Sequence, residues 1–356
     1  TTEIYTLSLH DALPICKMIR EKVKKLWRLC FDDHEEFIDM YFRLRYNNDV
    51  NIAIQSGEEV IAATQMLPYP MTFGNTEIKT AYISGACTHP DYRNRGVMHE
   101  LLSQAFTQML RNGVVLSTLI PAEPWLFNYY ARNGYALVFN YQKKVFTTPT
   151  TPLPNGSPVL KATHEYKQDL YEYLNRKLRE RPFCIQHTEQ DFQVLIADLK
   201  LNRGQIFTLS QRGNIVALAF VYPTMDKGWF IGELLADAPE MSDVLLQRIC
   251  EKSNIPSIEI LTPPTENETN SPLGMARIIN AKEMLQLYAA TYPEKDLNIH
   301  LTDEQVSTNN GYYYLNNGKC MVSAKRLPGS HLALTIGELT EKIFATLNPY
   351  MSLMMN

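Results

Sequence analysis

The stretch Ala81–Leu102, AYISGACTHPDYRNRGVMHELL, constrains this chain more than any other. It opens as an apolar strand through Tyr82, Ile83, Ala86 and Cys87, and it closes as a helix whose inner face is Val97, Leu101 and Leu102. Between the two lies a basic turn, Arg93-Asn94-Arg95-Gly96. A strand running through such a turn into a helix makes an anion site. The first helical N–H groups lack internal partners, the helix dipole is positive there, and glycine lets an oxyanion reach the main chain. Arg93 and Arg95 add charge-assisted hydrogen bonds to phosphate oxygens. Arg-x-x-Gly alone is common and also fits a solvated helix start with surface arginines, so the flanking elements decide.

At 356 residues the chain is too long for one core of usual size, and two or three domains are expected. A hydrophobic share of 45% with 20% charged residues describes an ordinary soluble globular protein. The net charge of -4 gives no footprint for nucleic acid, and the basic turn is too local to be a binding stripe. No apolar run approaches the roughly 20 residues that span a bilayer. The six cysteines are scattered, with no Cys-x-x-Cys pair, and read as reduced core residues in a cytoplasmic protein with no metal site. The opening TTEIYTLSLHDALPI lacks the basic start and apolar stretch of a signal peptide. It looks like translated adapter sequence, and residues 1–17 are read as a non-native leader.

From Lys17, the spacing of Val23, Leu26, Trp27 and Cys30 predicts a helix, and Phe37, Ile38, Tyr41 and Phe42 predict a second. Asp32 or Asp33 is the expected N-cap of the second, with a role in attracting a cationic substrate as the alternative reading of this acidic segment. Strands are expected at Asn51–Gln55 and Val60–Leu67 across Ser56-Gly57-Glu58-Glu59, then at Met71–Phe73 and Ile78–Cys87 across Gly74-Asn75. The helix after the basic turn should stop at Asn112-Gly113, before a buried strand at Val114–Ile120. Trp125, Phe127 and Tyr129 read mostly as core aromatics. Thr147–Pro158 reads as a linker. Beyond it, a helix is expected at His164–Glu180 and strands at Gln205–Ser210, Ile215–Tyr222 and Trp229–Ala236. SGEEVIAATQMLPYP and QRGNIVALAFVYPTM share a Gly turn, an apolar strand and an exit through Tyr and Pro, as an internal repeat would. In the second copy Asp237-Ala238-Pro239-Glu240 puts acids where the first has arginines, so this copy reads as degenerate. After a break at Thr262–Pro272, MARIINAKEMLQLYAATYP reads as a helix. Strands follow at Leu297–Thr302, Gly311–Leu315 and Cys320–Lys325, with a helix at Leu332–Ala345.

THPDYRNRG directly after a buried strand resembles the acetyl-CoA pyrophosphate loop of the GNAT acetyltransferases, Arg/Gln-x-x-Gly-x-Gly/Ala. Met98 departs from that pattern, and in this it resembles the enhanced intracellular survival (Eis) acetyltransferases, where a larger apolar residue follows. Tyr130-Ala131-Arg132-Asn133-Gly134-Tyr135 resembles the Tyr-x-Arg-x-Gly-Tyr turn of the same enzymes. MARIIN, TIGELTEKIF and PYMSLMMN resemble their sterol-carrier-protein-like third domain. The element order matches the GNAT core apart from a first strand, whose place the leader takes, and the resemblance covers nearly the whole chain after Lys17. It implies an α+β fold: tandem GNAT-like domains, each a mixed, mostly antiparallel sheet with helices on both faces, then an α+β sterol-carrier-protein-like domain. The expected bounds are 18–148 for the catalytic domain, 158–264 for the degenerate copy and 272–356 for the third.

The resemblance also implies an activity: an N-acetyltransferase using acetyl-CoA as co-substrate and no metal. The acceptor would be a primary amine that attacks the thioester directly, either a small polyamine or aminoglycoside-like molecule or a lysine side chain. Arg93, Asn94, Arg95, Gly96, Val97 and Met98 would hold the pyrophosphate. The backbones of Ala86, Cys87 and Thr88 would align the pantetheine arm, and Tyr130 would be the general acid. The carboxylate of Asn356 would reach the active site, and Glu123 is the other acid near Tyr130 in sequence. Two bland readings stand beside these: a Tyr130 hydroxyl bonded in the core, and a tail (Met351, Leu353, Met354, Met355) that merely packs. The alternative function is a lipid or apolar-ligand binding protein with a vestigial acetyltransferase domain. The expected partner is the amine substrate, with no nucleic acid and no membrane span, and self-association is left open.

Overall fold

The computed structural model describes residues 12–150, 153, 156, 158–225, 228–265 and 269–355, with side chains from Met18 onward. They form two compact units: the chain up to Val138 with Gly274–Leu347, and Phe139–Leu273 with Asn348–Met355. The leader and the two breaks at Thr147–Pro158 and Thr262–Pro272 lie partly outside the described residues. Among the described residues no helix is long and apolar enough to cross a membrane.

The first unit opens with α1 (Ala12–Cys30) and α2 (Glu35–Leu44). The expected helical faces are the buried ones: Val23, Leu26 and Trp27 on α1, and Ile38, Tyr41 and Phe42 on α2. The α2 cap differs from expectation. His34 holds the N-cap position without a side-chain bond, while Asp33 accepts from Trp27 Nε1 at 2.7 Å. A buried indole needs an acceptor, and that need outcompetes the cap. Next come β1 (Asn51–Ser56), β2 (Glu59–Phe73), β3 (Thr76–Thr88), α3 (Val97–Arg111), β4 (Leu116–Leu119) and α4 (Pro124–Ala131). The two strands expected on either side of Pro68 and Pro70 are one, β2. β1 pairs with β2 only as far as Gln65, so the two prolines lie where β3 is the partner and the other edge needs no donor.

The chain continues through β5 (Ala136–Thr147), whose first three residues still belong to the first unit. The second unit goes on with β6 (Val159–Thr163), α5 (Gln168–Arg179), α6 (Glu189–Leu201), β7 (Gln205–Gln211), β8 (Asn214–Pro223), β9 (Trp229–Ala236), α7 (Pro239–Ser253) and β10 (Ser257–Thr262). The helix expected at His164–Glu180 starts only at Gln168, because β6 and a turn precede it. The repeat seen in the sequence is a repeat of topology. In the first unit β1, β2 and β3 are antiparallel neighbours, α3 crosses over, and β4 lies parallel to β3. In the second unit β7, β8, β9, α7 and β10 do the same. The mixed α+β class follows the expectation.

From Gly274 the chain belongs again to the first unit. There follow β11 (Ser271–Ile278), α8 (Ala281–Thr291), β12 (Leu297–Thr302), β13 (Gly311–Asn316), β14 (Lys319–Ser323), β15 (Leu332–Thr335) and α9 (Ile336–Phe344). Two helix expectations are corrected here. Met275–Ile278 is a strand, antiparallel to β4, because consecutive residues are buried on both of its faces. Leu332–Thr335 pairs in parallel with β12, and the helix begins only after Thr335, which forms a capping box with Glu338. The last described residues are held in the second unit. Tyr350 N–H donates to the Phe183 carbonyl at 2.9 Å, Ile185 N–H donates to the Tyr350 carbonyl at 3.0 Å, and Met351 is buried. Leu353 and Met354 are only half-buried.

Candidate active site

Strands β3 and β4 run parallel only over Thr80, Ala81 and Tyr82, opposite Leu116, Ser117 and Thr118. β3 then continues to Thr88 with β2 as its partner, so its other edge has no strand partner over residues 83–88 among the described residues. The β2–β3 register also slips here. Ser84 faces Gln65 and Cys87 faces Ala63, which leaves two residues of β3, Gly85 and Ala86, opposite Thr64. Such a bulge frees main-chain groups from the ladder and re-aims them, which suits binding an extended ligand. Cys87 and Thr88 are buried, and the Thr88 hydroxyl has no hydrogen-bond partner among the described residues. A buried orphan hydroxyl at the end of an open strand edge invites a polar ligand atom.

The turn after β3 is built from local bonds. His89 Nδ1 accepts from the Asp91 N–H at 3.2 Å, and Arg93 Nε donates to the Thr88 carbonyl at 3.1 Å, pinning the turn to the strand end. Asn94 and Gly96 take left-handed conformations, φ 61° and 77°. Gly96 is the N-cap of α3, has no side chain to bond the first helical N–H groups, and faces open space where a Cβ would lie. Those N–H groups are thus left for an anion. The Arg95 guanidinium lies 5.6 Å over the Tyr92 ring, and Arg93, Asn94 and Arg95 are all exposed. Val97 packs with Ile54, Ile61 and Leu101, and Met98 packs inward as well. A large residue at position 98 therefore faces the core and does not crowd the turn.

Tyr130 lies on α4 and packs in one apolar cluster with Ile83 and Leu102, onto which Ala86 and Met98 also pack. Sequence-expected residues from the strand, the turn helix and α4 are thereby brought together. Tyr130 is buried, and its ring touches Tyr129 and Tyr135 at centroid distances of 5.5 and 5.6 Å. Nothing among the described residues hydrogen-bonds its hydroxyl, whereas the Tyr135 hydroxyl is bonded to Ser117 Oγ at 2.7 Å. Tyr135 is the core-bonded tyrosine and Tyr130 is not. Burial, with Tyr129 and Cys87 nearby, holds the Tyr130 phenol well above its ordinary pKa, so it keeps its proton at neutral pH.

Several expectations fall elsewhere. Trp125 is 64% exposed and not a core aromatic, because Pro124 and Glu123 place it at the open start of α4. Glu123 is the exposed N-cap of that helix and makes no side-chain cap bond. Asn356 lies outside the described residues. In the second unit the turn before α7 carries Asp237, which accepts from Arg176 Nη2 at 3.1 Å. An acid at that helix start repels phosphate. One group escaped the sequence reading. Cys30, at the end of α1, bonds the Thr88 carbonyl through its thiol at 3.4 Å. Its interactions with Cys87, and secondarily with Arg93, bring its pKa down to about 7. A single half-apolar residue closing a helix carries no signal of this in the sequence.

Comparison with known proteins gives the class of the domain that carries this strand–turn–helix. Residues 18–138 match the family model for an acetyltransferase (GNAT) domain, and this part of the chain is a GNAT acetyltransferase domain. Solved structures resemble the chain over most of its length. A GCN5-related N-acetyltransferase from Anabaena variabilis is 15% identical, with a TM-score of 0.73 over 93% of this chain and 96% of that one. Eis1 from Mycobacterium abscessus is 13% identical, with a TM-score of 0.72 over 97% and 89%. A probable N-acyltransferase from Enterococcus faecalis is 17% identical, with a TM-score of 0.72 over 91% and 87%. At these identities the likeness is one of fold. No curated protein matches the sequence.

Proposed function

We propose that the first unit transfers an acetyl group from acetyl-CoA to a primary amine, with Tyr130 as proton donor to the leaving thiolate. The observation that carries this reading is the Tyr130 side chain: it is buried, its hydroxyl bonds none of the described residues, and it packs in the same cluster as Ile83 and Ala86 of the open strand edge and Met98 of the turn helix. The residues present fit acetyl-CoA. The Gly96 turn offers N–H groups and two arginines to a pyrophosphate, and the 83–88 edge with the orphan Thr88 hydroxyl offers main-chain partners to a pantetheine amide. Acetyl-CoA supplies the activated thioester. A main-chain N–H freed by the bulge can polarise its carbonyl as charge develops. Tyr130 then gives its proton as the C–S bond breaks and the C–N bond forms. The amine must be neutral to attack, since an alkylammonium with a pKa near 10.4 is mostly protonated at pH 7. The proton acceptor is proposed, on the Eis resemblance, to be the Asn356 carboxylate. The second unit, with Asp237 at its helix start, is proposed to be non-catalytic, and residues 272–356 to be the sterol-carrier-protein-like part.

Turnover of acetyl-CoA, read as free thiol release against a panel of polyamines, aminoglycosides and lysine peptides, tests the reading. No thiol release with any amine, from protein that binds acetyl-CoA, would overturn it. Arg93→Ala and Arg95→Ala each remove a charged contact worth about 1.5–3 kcal/mol. Acetyl-CoA affinity measured by calorimetry should fall roughly tenfold or more in each, and unchanged affinity in both would refute the phosphate site. A short polar extension after Asn356 should lower turnover while melting temperature and acetyl-CoA affinity stay the same. Equal rates would return the base to Glu123 or to water.

A further inference from the structure

Asn133 lies three residues beyond Tyr130, is 3% exposed, and has every polar group engaged. Its Nδ2 donates to the Tyr129 carbonyl in the last turn of α4 at 3.0 Å. That bond commits the amide nitrogen as a donor, so Oδ1 faces His99, and the His99 Nδ1 at 2.9 Å must carry the proton between them. Its main-chain N–H donates to the Tyr130 carbonyl at 2.9 Å. Its main-chain carbonyl accepts from Arg277 Nε at 3.0 Å.

The anchors at each end are themselves fixed. His99 lies in the first turn of α3, the helix that starts at Gly96. Gln305 Nε2 braces the His99 side from β12's exit loop, donating to Ser103 Oγ at 2.9 Å. Arg277 is fully buried and paired with Asp303 at 2.6 Å. The next residue cannot relax the turn either. Gly134 has φ 79°, and a Cβ there would come within 2.6 Å of Ile336 Cγ2 and 3.0 Å of Arg277 Nε. With only eight residues, α4 is short enough that an unsatisfied last turn would fray, and Tyr130 sits in that turn.

We propose that Asn133 is the positioning residue that fixes Tyr130 relative to the phosphate-turn helix, with His99 and Arg277 as its anchors. The proposal rests on the reading of Tyr130 as proton donor. Asn133 touches no reacting atom. It acts by tying the first turn of α3, which would receive the pyrophosphate, to the last turn of α4, which carries the donor. Displacement of a reacting group by about 1 Å costs on the order of 100-fold, so this tie controls rate more than affinity.

The test is a double-mutant cycle on kcat, using Asn133→Ala and Tyr130→Phe, with acetyl-CoA affinity measured for each protein. Asn133→Ala should lower kcat roughly 10- to 100-fold with affinity unchanged within about twofold. In the Tyr130→Phe background the same change should alter kcat less than about twofold, because groups acting as a unit are non-additive. A residue that only stabilises the fold would add its loss in both backgrounds, and that outcome, or wild-type kcat in Asn133→Ala, overturns the inference. Wild-type kcat in Tyr130→Phe would instead overturn the reading of Tyr130. If Asn133→Ala does not fold, His99→Ala removes one anchor at an exposed site. It should show a smaller kcat loss, about 3- to 10-fold, that likewise vanishes beside Tyr130→Phe, and a persisting or absent loss refutes the proposal.

Discussion

Tyr130→Phe should turn over acetyl-CoA about 100- to 10,000-fold more slowly than wild type while binding it normally. The substitution removes one oxygen from a side chain whose ring contacts with Tyr129 and Tyr135 remain. No hydrogen bond is lost, because none of the described residues bonds that hydroxyl. Deleting a hydroxyl that bonds none of the described residues should leave stability nearly unchanged. The expected signature is therefore unusual for a core substitution: a large loss of kcat with no loss of melting temperature. At Tyr135 the opposite holds. Its hydroxyl is bonded to Ser117, so Tyr135→Phe would strand a buried partner and act on stability. Equal kcat for Tyr130→Phe and wild type, under conditions where chemistry limits, would make Tyr130 a packing residue.

The contrast between these two tyrosines also shows where sequence reading stops. The Tyr-x-Arg-x-Gly-Tyr turn marks both residues but cannot say which hydroxyl has a partner, since Ser117 lies on another strand. The strand–turn–helix from Ala81 was legible because period-two and period-3.6 patterns meet at a glycine, which is local information. The bulge opposite Thr64 and the parting of β3 from β4 were not, because both depend on which strands are neighbours. Two misread helices show the same limit from another side. MARII carries no turn residue before Asn280, so a buried strand and the start of a helix look alike. Leu332–Thr335 joins α9 without a break, although the Thr335-x-x-Glu338 capping box was present in the sequence to mark the boundary. Arg277 itself, a charge inside an apolar run, was a sign of a buried partner that pattern counting passes over.

That partner gives the largest expected effect on stability. Arg277 and Asp303 are each about 1% exposed by side chain and meet at 2.6 Å. Asp303 also accepts from the N–H groups of Gln305 and Val306, both at 3.1 Å, and from Asn309 Nδ2 at 2.9 Å. Arg277 spends its remaining nitrogens on the carbonyls of Asn133 and Ile278 and stacks 4.2 Å over Phe106. Burial pushes the guanidinium pKa down and Asp303 opposes that shift, while the guanidinium stays charged. Asp303→Ala leaves a cation buried without a counter-ion and should cost about 3–5 kcal/mol. For a unit of this size that corresponds to a melting-temperature drop of roughly 6 to 20 °C. The penalty belongs to the stranded charge more than to the lost bond, because an intact buried pair is itself close to neutral. Removing the cation as well should therefore restore stability. Arg277→Met combined with Asp303→Asn keeps an acceptor for the two N–H groups and leaves no ion, and it should recover at least about half of the loss. Thermal unfolding of the three proteins at one pH decides the matter. A double variant as unstable as Asp303→Ala would mean that lost hydrogen bonds, and not an unpaired charge, set the cost, and a single variant within about 1 kcal/mol of wild type would mean that water reaches Arg277.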